Sequence, residues 1–260
     1  MGYLNSAVLA SACGPHIREV SAVKRRLTGL LSALWVGGAM TAFVTAQQRP
    51  PEKPASNPNS LVFADFEDVQ NGRPVSARGG LIQLFGYEES KVHKSEFKGL
   101  QGADPAAPEL VHIKAGDPNH AMKFEYVLHA PNPWTGVTVE MHGLPDADGK
   151  AVAEDLSGYK TVSLQVYATG IEILRLEAIS KSRGKDSSFA WPVMTFKVRQ
   201  GFNTYKVPLS GFSQPAWAPV RVDPKSIFKE LTSINLTAFC DQCEFSKEGM
   251  VIVDNVVFEK

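Results

Sequence analysis

Four groups of side chains in this sequence have the types and spacing to do chemistry. Cys240-Asp241-Gln242-Cys243 is a C-x-x-C, the spacing of half a zinc site or of a redox pair. No second Cys/His pair stands near it and it does not open a helix, so a local disulfide closing the Cys240 to Cys243 turn of an exported protein is the better reading. Asp65, Glu67 and Asp254 are hard oxygen donors of the kind calcium takes, or else carboxylates at strand ends facing water. Glu172-Ile173-Leu174-Arg175-Leu176-Glu177 carries an acid at each end. Retaining glycoside hydrolysis needs two carboxyls about 5 to 5.5 Å apart, and residues five apart on a regular strand point to opposite faces. The fourth group joins aromatic rings, Trp134, Tyr167, Trp191 and Trp217, to the polar groups of Glu125, His129, Gln165, Arg175 and Glu177. Rings supply flat apolar area to a sugar and polar groups fix its orientation. The alternative for each is an ordinary solvated strand face. For Trp191 and Trp217, which sit beside prolines, it is a plug over the core edge.

These residues lie on short segments whose apolar positions repeat every second residue, the signature of half-buried strands. Met122, Phe124, Tyr126 and Leu128 share one face and Lys123, Glu125 and His129 the other; Val137, Val139 and Met141 alternate with Thr138, Glu140 and His142. Val162, Leu164 and Val166 alternate with Ser163, Gln165 and Tyr167, and Leu174, Leu176 and Ala178 stand opposite Arg175 and Glu177. With Leu61 to Phe66, Met194 to Val198, Thr204 to Leu209, Ile234 to Ala238 and Val251 to Phe258, about nine or ten strands with one apolar face each are expected, packed as two antiparallel sheets. Val69 to Val111, rich in glycine, is expected to be loops around two short strands. The one expected helix is Asp223 to Leu231, with Asp223 as cap and Pro224 at its first position.

The N-terminus reads as an address. Lys24-Arg25-Arg26, the apolar stretch Leu27 to Val44 and the small residues before Gln47 follow the order of a secretory signal peptide, with cleavage expected after Ala46 and a signal-anchor as the alternative. Met1 to Val23 is longer than such a leader needs, so translation is expected to start near Val23. Residues 47–60 are a Pro-rich linker and 61–260 the folded domain, placing the protein in the periplasm or outside a bacterial cell with no membrane span after cleavage. Lys+Arg and Asp+Glu are equal at 27 each, which argues against a nucleic-acid binder. Without residues 1–46 the balance is 23 basic to 26 acidic, a mildly acidic chain. No Gly-x-Ser-x-Gly elbow, His-Glu-x-x-His helix or phosphate loop is present, and the histidines are scattered.

Five strings carry a resemblance. They are Phe63-Ala64-Asp65-Phe66-Glu67-Asp68, Trp134-Thr135-Gly136, Asp155-Leu156-Ser157-Gly158-Tyr159, Phe202 to Phe212, and Ile252-Val253-Asp254-Asn255-Val256-Val257-Phe258. In order and spacing they resemble the galactose-binding-like jelly-roll superfamily, in particular family 11 carbohydrate-binding modules and the related domain of complex I intermediate-associated protein 30. The resemblance implies an all-β antiparallel jelly-roll sandwich with one short helix at most. It also implies a non-catalytic module holding a poly- or oligosaccharide on its concave sheet, often with a structural calcium away from the ligand. The second relative implies instead an assembly or scaffolding domain that binds a protein partner. A third alternative is a β-sandwich hydrolase or lyase: Glu172 to Glu177 resembles the Glu-x-Asp-x-x-Glu string of laminarinase-type enzymes, but Leu174 replaces the middle acid.

Overall fold

Where apolar side chains alternate, the chain runs as strands, and in the computed structural model these strands pair into two large antiparallel sheets. Residues 57–86, 96–100, 106–129, 133–181, 190–241 and 243–260 are described; the expected leader and most of the expected linker lie outside them. The strands are β1 (Ser60–Ala64), β2 (Val69–Gln70), β3 (Arg73–Pro74), β4 (Ile82–Gly86), β5 (Glu96–Lys98), β6 (Glu109–His112), β7 (His120–Leu128), β8 (Trp134–Glu140), β9 (Thr161–Ala168), β10 (Ile173–Ile179), β11 (Val193–Lys197), β12 (Asn203–Pro208), β13 (Ser233–Phe239) and β14 (Lys247–Glu259). Five of them form a front sheet in the order β11-β10-β13-β8-β4. Seven form a back sheet, β12-β9-β14-β7-β5, with β1 added on β14 and β6 on β7.

The inward rows of both sheets make one core. Val137, Val139, Leu174, Leu176, Ile234 and Leu236 from the front meet Phe63, Met122, Phe124, Leu164, Val166, Val253 and Phe258 from the back. Side chains of this size contribute about 1.5–3 kcal/mol each when fully buried. Because the side-chain period of a strand is two, fixing these residues inward turns every second neighbour outward.

Three local outcomes differ from the sequence expectation. The described residues from Val69 to His112 hold five short strands rather than two, because elements of two to five residues are too brief to show a period. The helix α1 spans Pro224–Phe228, with the Asp223 carboxylate accepting from Lys225 N as expected of the cap. It stops before Leu231 because the Leu231 backbone exchanges hydrogen bonds with Glu154 (3.0 and 3.1 Å). β1 stops at Ala64 rather than Phe66, since Phe66 takes a left-handed φ of 58° that buries its ring but cannot continue a strand.

Candidate functional site

The outer face of the front sheet gathers polar and aromatic groups in register. Phe85, Gly136, Thr237, Arg175 and Thr195 form one row across β4, β8, β13, β10 and β11. Gln83, Thr138, Asn235, Glu177 and Val193 form the next. Trp134 lies opposite Phe239 at the end of β8 and stands edge-on to Phe85 at 5.5 Å between ring centroids. The Arg175 guanidinium lies over the Phe239 ring at 5.3 Å, a cation–π contact. Thr138 Oγ1 donates to Asn235 Oδ1 (2.8 Å), and Asn235 Nδ2 donates to Glu177 Oε2 (2.8 Å). Burial pushes the Glu177 carboxyl above its usual range, against the opposing pull of Arg175 and of the Asn235 hydrogen bond.

Hydrogen-bonding capacity on this face is left over. Arg175 Nε, Thr237 Oγ1 and Ser233 Oγ are buried and have no hydrogen-bond partner among the described residues. A buried polar atom without a partner costs about 1–3 kcal/mol, so each such group calls for a partner, which a bound ligand or an ordered water can supply. Gly136 lies in the same row because a Cβ there would fall 2.2 Å from the Leu236 carbonyl oxygen.

The structure divides the sequence-derived sugar-binding residues among several places. Trp134, Arg175 and Glu177 share the front face. Gln165, Tyr167 and Glu125 are on the outer face of the back sheet, with the core between them and the first three, so one ligand cannot touch both sets. There Lys123 donates to Glu125 (2.8 Å), and this hydrogen bond holds the Glu125 carboxyl below its usual range. Gln165 lines an open groove of about 450 Å³ with Ser163, Thr204, Lys206 and Asn255. His129 follows β7 with Nδ1 3.3 Å from Ser246 Oγ. Trp191 is partly buried against the core, the plug alternative, whereas Trp217 stands 73% exposed. Another cavity, about 620 Å³, opens beside α1 between Tyr159, Leu209, Phe212 and Phe228, away from the front face.

Sequence reasoning missed Phe85, Asn235, Thr237, Ser233 and Phe239 as site residues. Asn235 and Thr237 were visible as polar positions of an alternating strand, and Phe239 lies one residue beyond it. Phe85 lay in the glycine-rich stretch whose strands carried no period.

Cys240 and Cys243 are joined as a disulfide with their Cα atoms 5.7 Å apart. Asp65 and Glu67 follow the end of β1, and Asp254 lies on β14 where its register with β9 shifts. Asp254 is buried, accepting from Asn255 N (2.7 Å) and from the side-chain amides of Asn119 and Asn255 (both 2.8 Å). Burial holds its carboxyl above the usual range, and the charges of Glu67 and Asp65 push the same way. Glu67 in turn accepts from His120 N (2.6 Å). Among the described residues no three His, Cys, Asp or Glu side chains stand ready to hold a metal ion, and no helix is long and apolar enough to cross a membrane.

No protein-family model and no curated protein matches this chain; solved structures do. A family 11 carbohydrate-binding module from Clostridium thermocellum, in complex with a β-1,3-1,4-mixed-linked tetrasaccharide, is 16% identical over 78% of this chain and 97% of its own, with a TM-score of 0.50. The family 11 module of the cellulosomal cellulase Lic26A-Cel5E of the same organism is 18% identical over 78% and 96%, at 0.49. A family 30 module of a cellulosomal cellulase of Clostridium thermocellum is 8% identical over 70% and 92%, at 0.44. At such identities a likeness speaks for architecture alone, and the architecture shared with the first of these is an all-β antiparallel jelly-roll sandwich.

Proposed function

We propose that the protein is an exported, non-catalytic carbohydrate-binding module that holds a glycan on the outer face of its front sheet. The observation that carries this reading is the joint presence there of aromatic rings (Phe85, Trp134, Phe239), planar polar groups (Arg175, Glu177, Asn235) and buried polar atoms with no partner among the described residues. Apolar sugar faces need the rings, sugar hydroxyls need the polar groups, and the unpartnered atoms leave hydrogen bonds for a ligand to make. The ligand of the mixed-linkage tetrasaccharide complex makes a β-glucan the first glycan to try. Non-catalytic binding agrees with the carboxylates of this face being occupied, Glu177 by Asn235 and Glu140 by Lys181. Export rests on the order of basic, apolar and small residues before Gln47.

A structural calcium at Asp65, Glu67 and Asp254 belongs to the same proposal. The donor set is hard oxygen throughout, and the charges of Glu67 and Asp65 both bear on the buried Asp254 carboxyl. Binding requires the Asn119 and Asn255 amides to turn their oxygens toward the ion.

Titration calorimetry with soluble mixed-linkage β-glucan, xylan and agarose oligosaccharides tests the binding face. Wild-type protein should bind at least one, W134A should weaken that binding by about tenfold or more, and Y167A on the back sheet should leave it unchanged. Binding lost in Y167A but kept in W134A would move the site to the back sheet. No binding to any of the three would replace the glycan reading with that of a protein-binding assembly domain.

A further inference from the structure

Beside the β11 edge of the front sheet stands a loop built to hold one exposed tryptophan. Val193 and Ser213 exchange both backbone hydrogen bonds (2.9 and 3.0 Å), so the chain adds one bridge beyond that edge before it turns into Pro215-Ala216-Trp217-Ala218-Pro219. The turn is pinned from several sides. Arg221 donates from its two terminal nitrogens to the carbonyls of Pro215 (2.9 Å) and Ala216 (2.6 Å). Gln214 Nε2 donates to the carbonyls of Ala190 (2.6 Å) and Val220 (3.0 Å), while its Oε1 accepts from Val222 N (2.8 Å). Ala218 N closes the turn onto the Pro215 carbonyl (3.0 Å), and Ala218 itself is buried. At the tip of this framework Trp217 is 73% exposed, next to Val220 at 46%.

Carbonyls held by a charged donor and φ angles fixed by two prolines leave such a loop little freedom to lose on binding. An indole held in water on that support contributes nothing to the core and is shaped for contact with a flat partner.

We infer that Trp217 is a stacking platform for a sugar ring at the β11 end of the front face, and that the ligand is therefore an extended glycan chain laid across the strands. The inference rests on the glycan-binding reading above and names its ligand class as chains rather than single terminal sugars. Strands spaced about 4.8 Å apart give a track of about 24 Å from Phe85 on β4 to Ser213 beyond β11, room for several pyranose rings.

Calorimetry of the full chain with mixed-linkage β-glucan oligosaccharides from di- to hexasaccharide tests it. Wild-type affinity should rise with chain length. W217A should match wild type on the shortest chains and fall behind by about tenfold on the longest. W217F should recover part of the loss, R221A should lose part by loosening the loop, and the hexasaccharide should shift tryptophan emission in wild type more than in W217A. The melting temperature of W217A should equal that of wild type, because the side chain it removes is largely exposed. Equal affinity of W217A and wild type at every length, with W134A impaired, would overturn the platform and leave the binding face standing. A glycan affinity unchanged in W217A while self-association changes would make Trp217 a protein contact and overturn the inference as well. Failure of wild type to bind any member of the series would sink both readings for this glycan class.

Discussion

Glu177 is a carboxylic acid held on a half-buried sheet face with one amide donor and one guanidinium beside it. Its pKa is raised in the folded state, so between the ordinary carboxylate range and the raised value the folded chain binds the proton more tightly than the unfolded chain does. Stability therefore falls as pH rises through that window. E177Q stays neutral at every pH and keeps an oxygen to accept from Asn235. We expect E177Q to melt a few degrees above wild type at neutral pH and to lose this part of the pH dependence below it, as thermal scans across the acid range will show. A lower melting temperature at neutral pH would mean that the attraction of Arg175 outweighs the cost of burial. The cost is of the kind that binding sites carry, because a group poised for a ligand is left short of partners without one. The types and spacing of Arg175 and Glu177 placed them together two residues apart on one strand face. Thr237, between Gly136 and Arg175, had to await the register of β13.

At the scale of elements, β8, β13 and β10 present the face, and their close approach depends on Gly136. A methyl group at that position meets the Leu236 carbonyl at 2.2 Å, so the two strands must separate to admit it. G136A should lower stability by about 1–3 kcal/mol, the usual cost of overpacking, measured by denaturant unfolding. An unchanged midpoint would show that the pair can relax without cost. The strands that alternate over six or more residues were legible in sequence: β7, β9, β10 and β13 have the expected faces to within a residue or two of their ends. β2 through β6 were not, because a strand of two to five residues is stabilised by the neighbour it pairs with and leaves little trace in its own composition. The helix α1 was announced by Asp223 and Pro224, while its early end depended on the long-range bridge from Leu231 to Glu154.

For the whole molecule, the first and last strands of the domain are partners, and the cluster of Asp65, Glu67, Asp254, Asn119 and Asn255 sits where they join. A cation bound there would tie both ends of the folded domain together and stabilise it in proportion to its occupancy. Calcium is accordingly expected to raise the melting temperature, chelator to reverse the rise, and D254N to abolish it; a melting temperature indifferent to calcium and chelator would remove the ion from the proposal. The alternation of apolar residues determined, by itself, that the chain would be a sandwich of antiparallel strands, because a period of two admits only one side to the core. The same alternation marked Gln165, Tyr167, Arg175 and Glu177 as outward-facing, while Trp134 read only as a ring in or near a turn. It could not say that Arg175 and Glu177 look out from one sheet while Gln165 and Tyr167 look out from the other. Each strand reports only inside from outside, and which outside is decided by strand order, which is set by pairings between residues far apart in the chain. That order alone brought Phe85, Trp134, Thr237 and Arg175 onto a common face and left Trp217 at its edge.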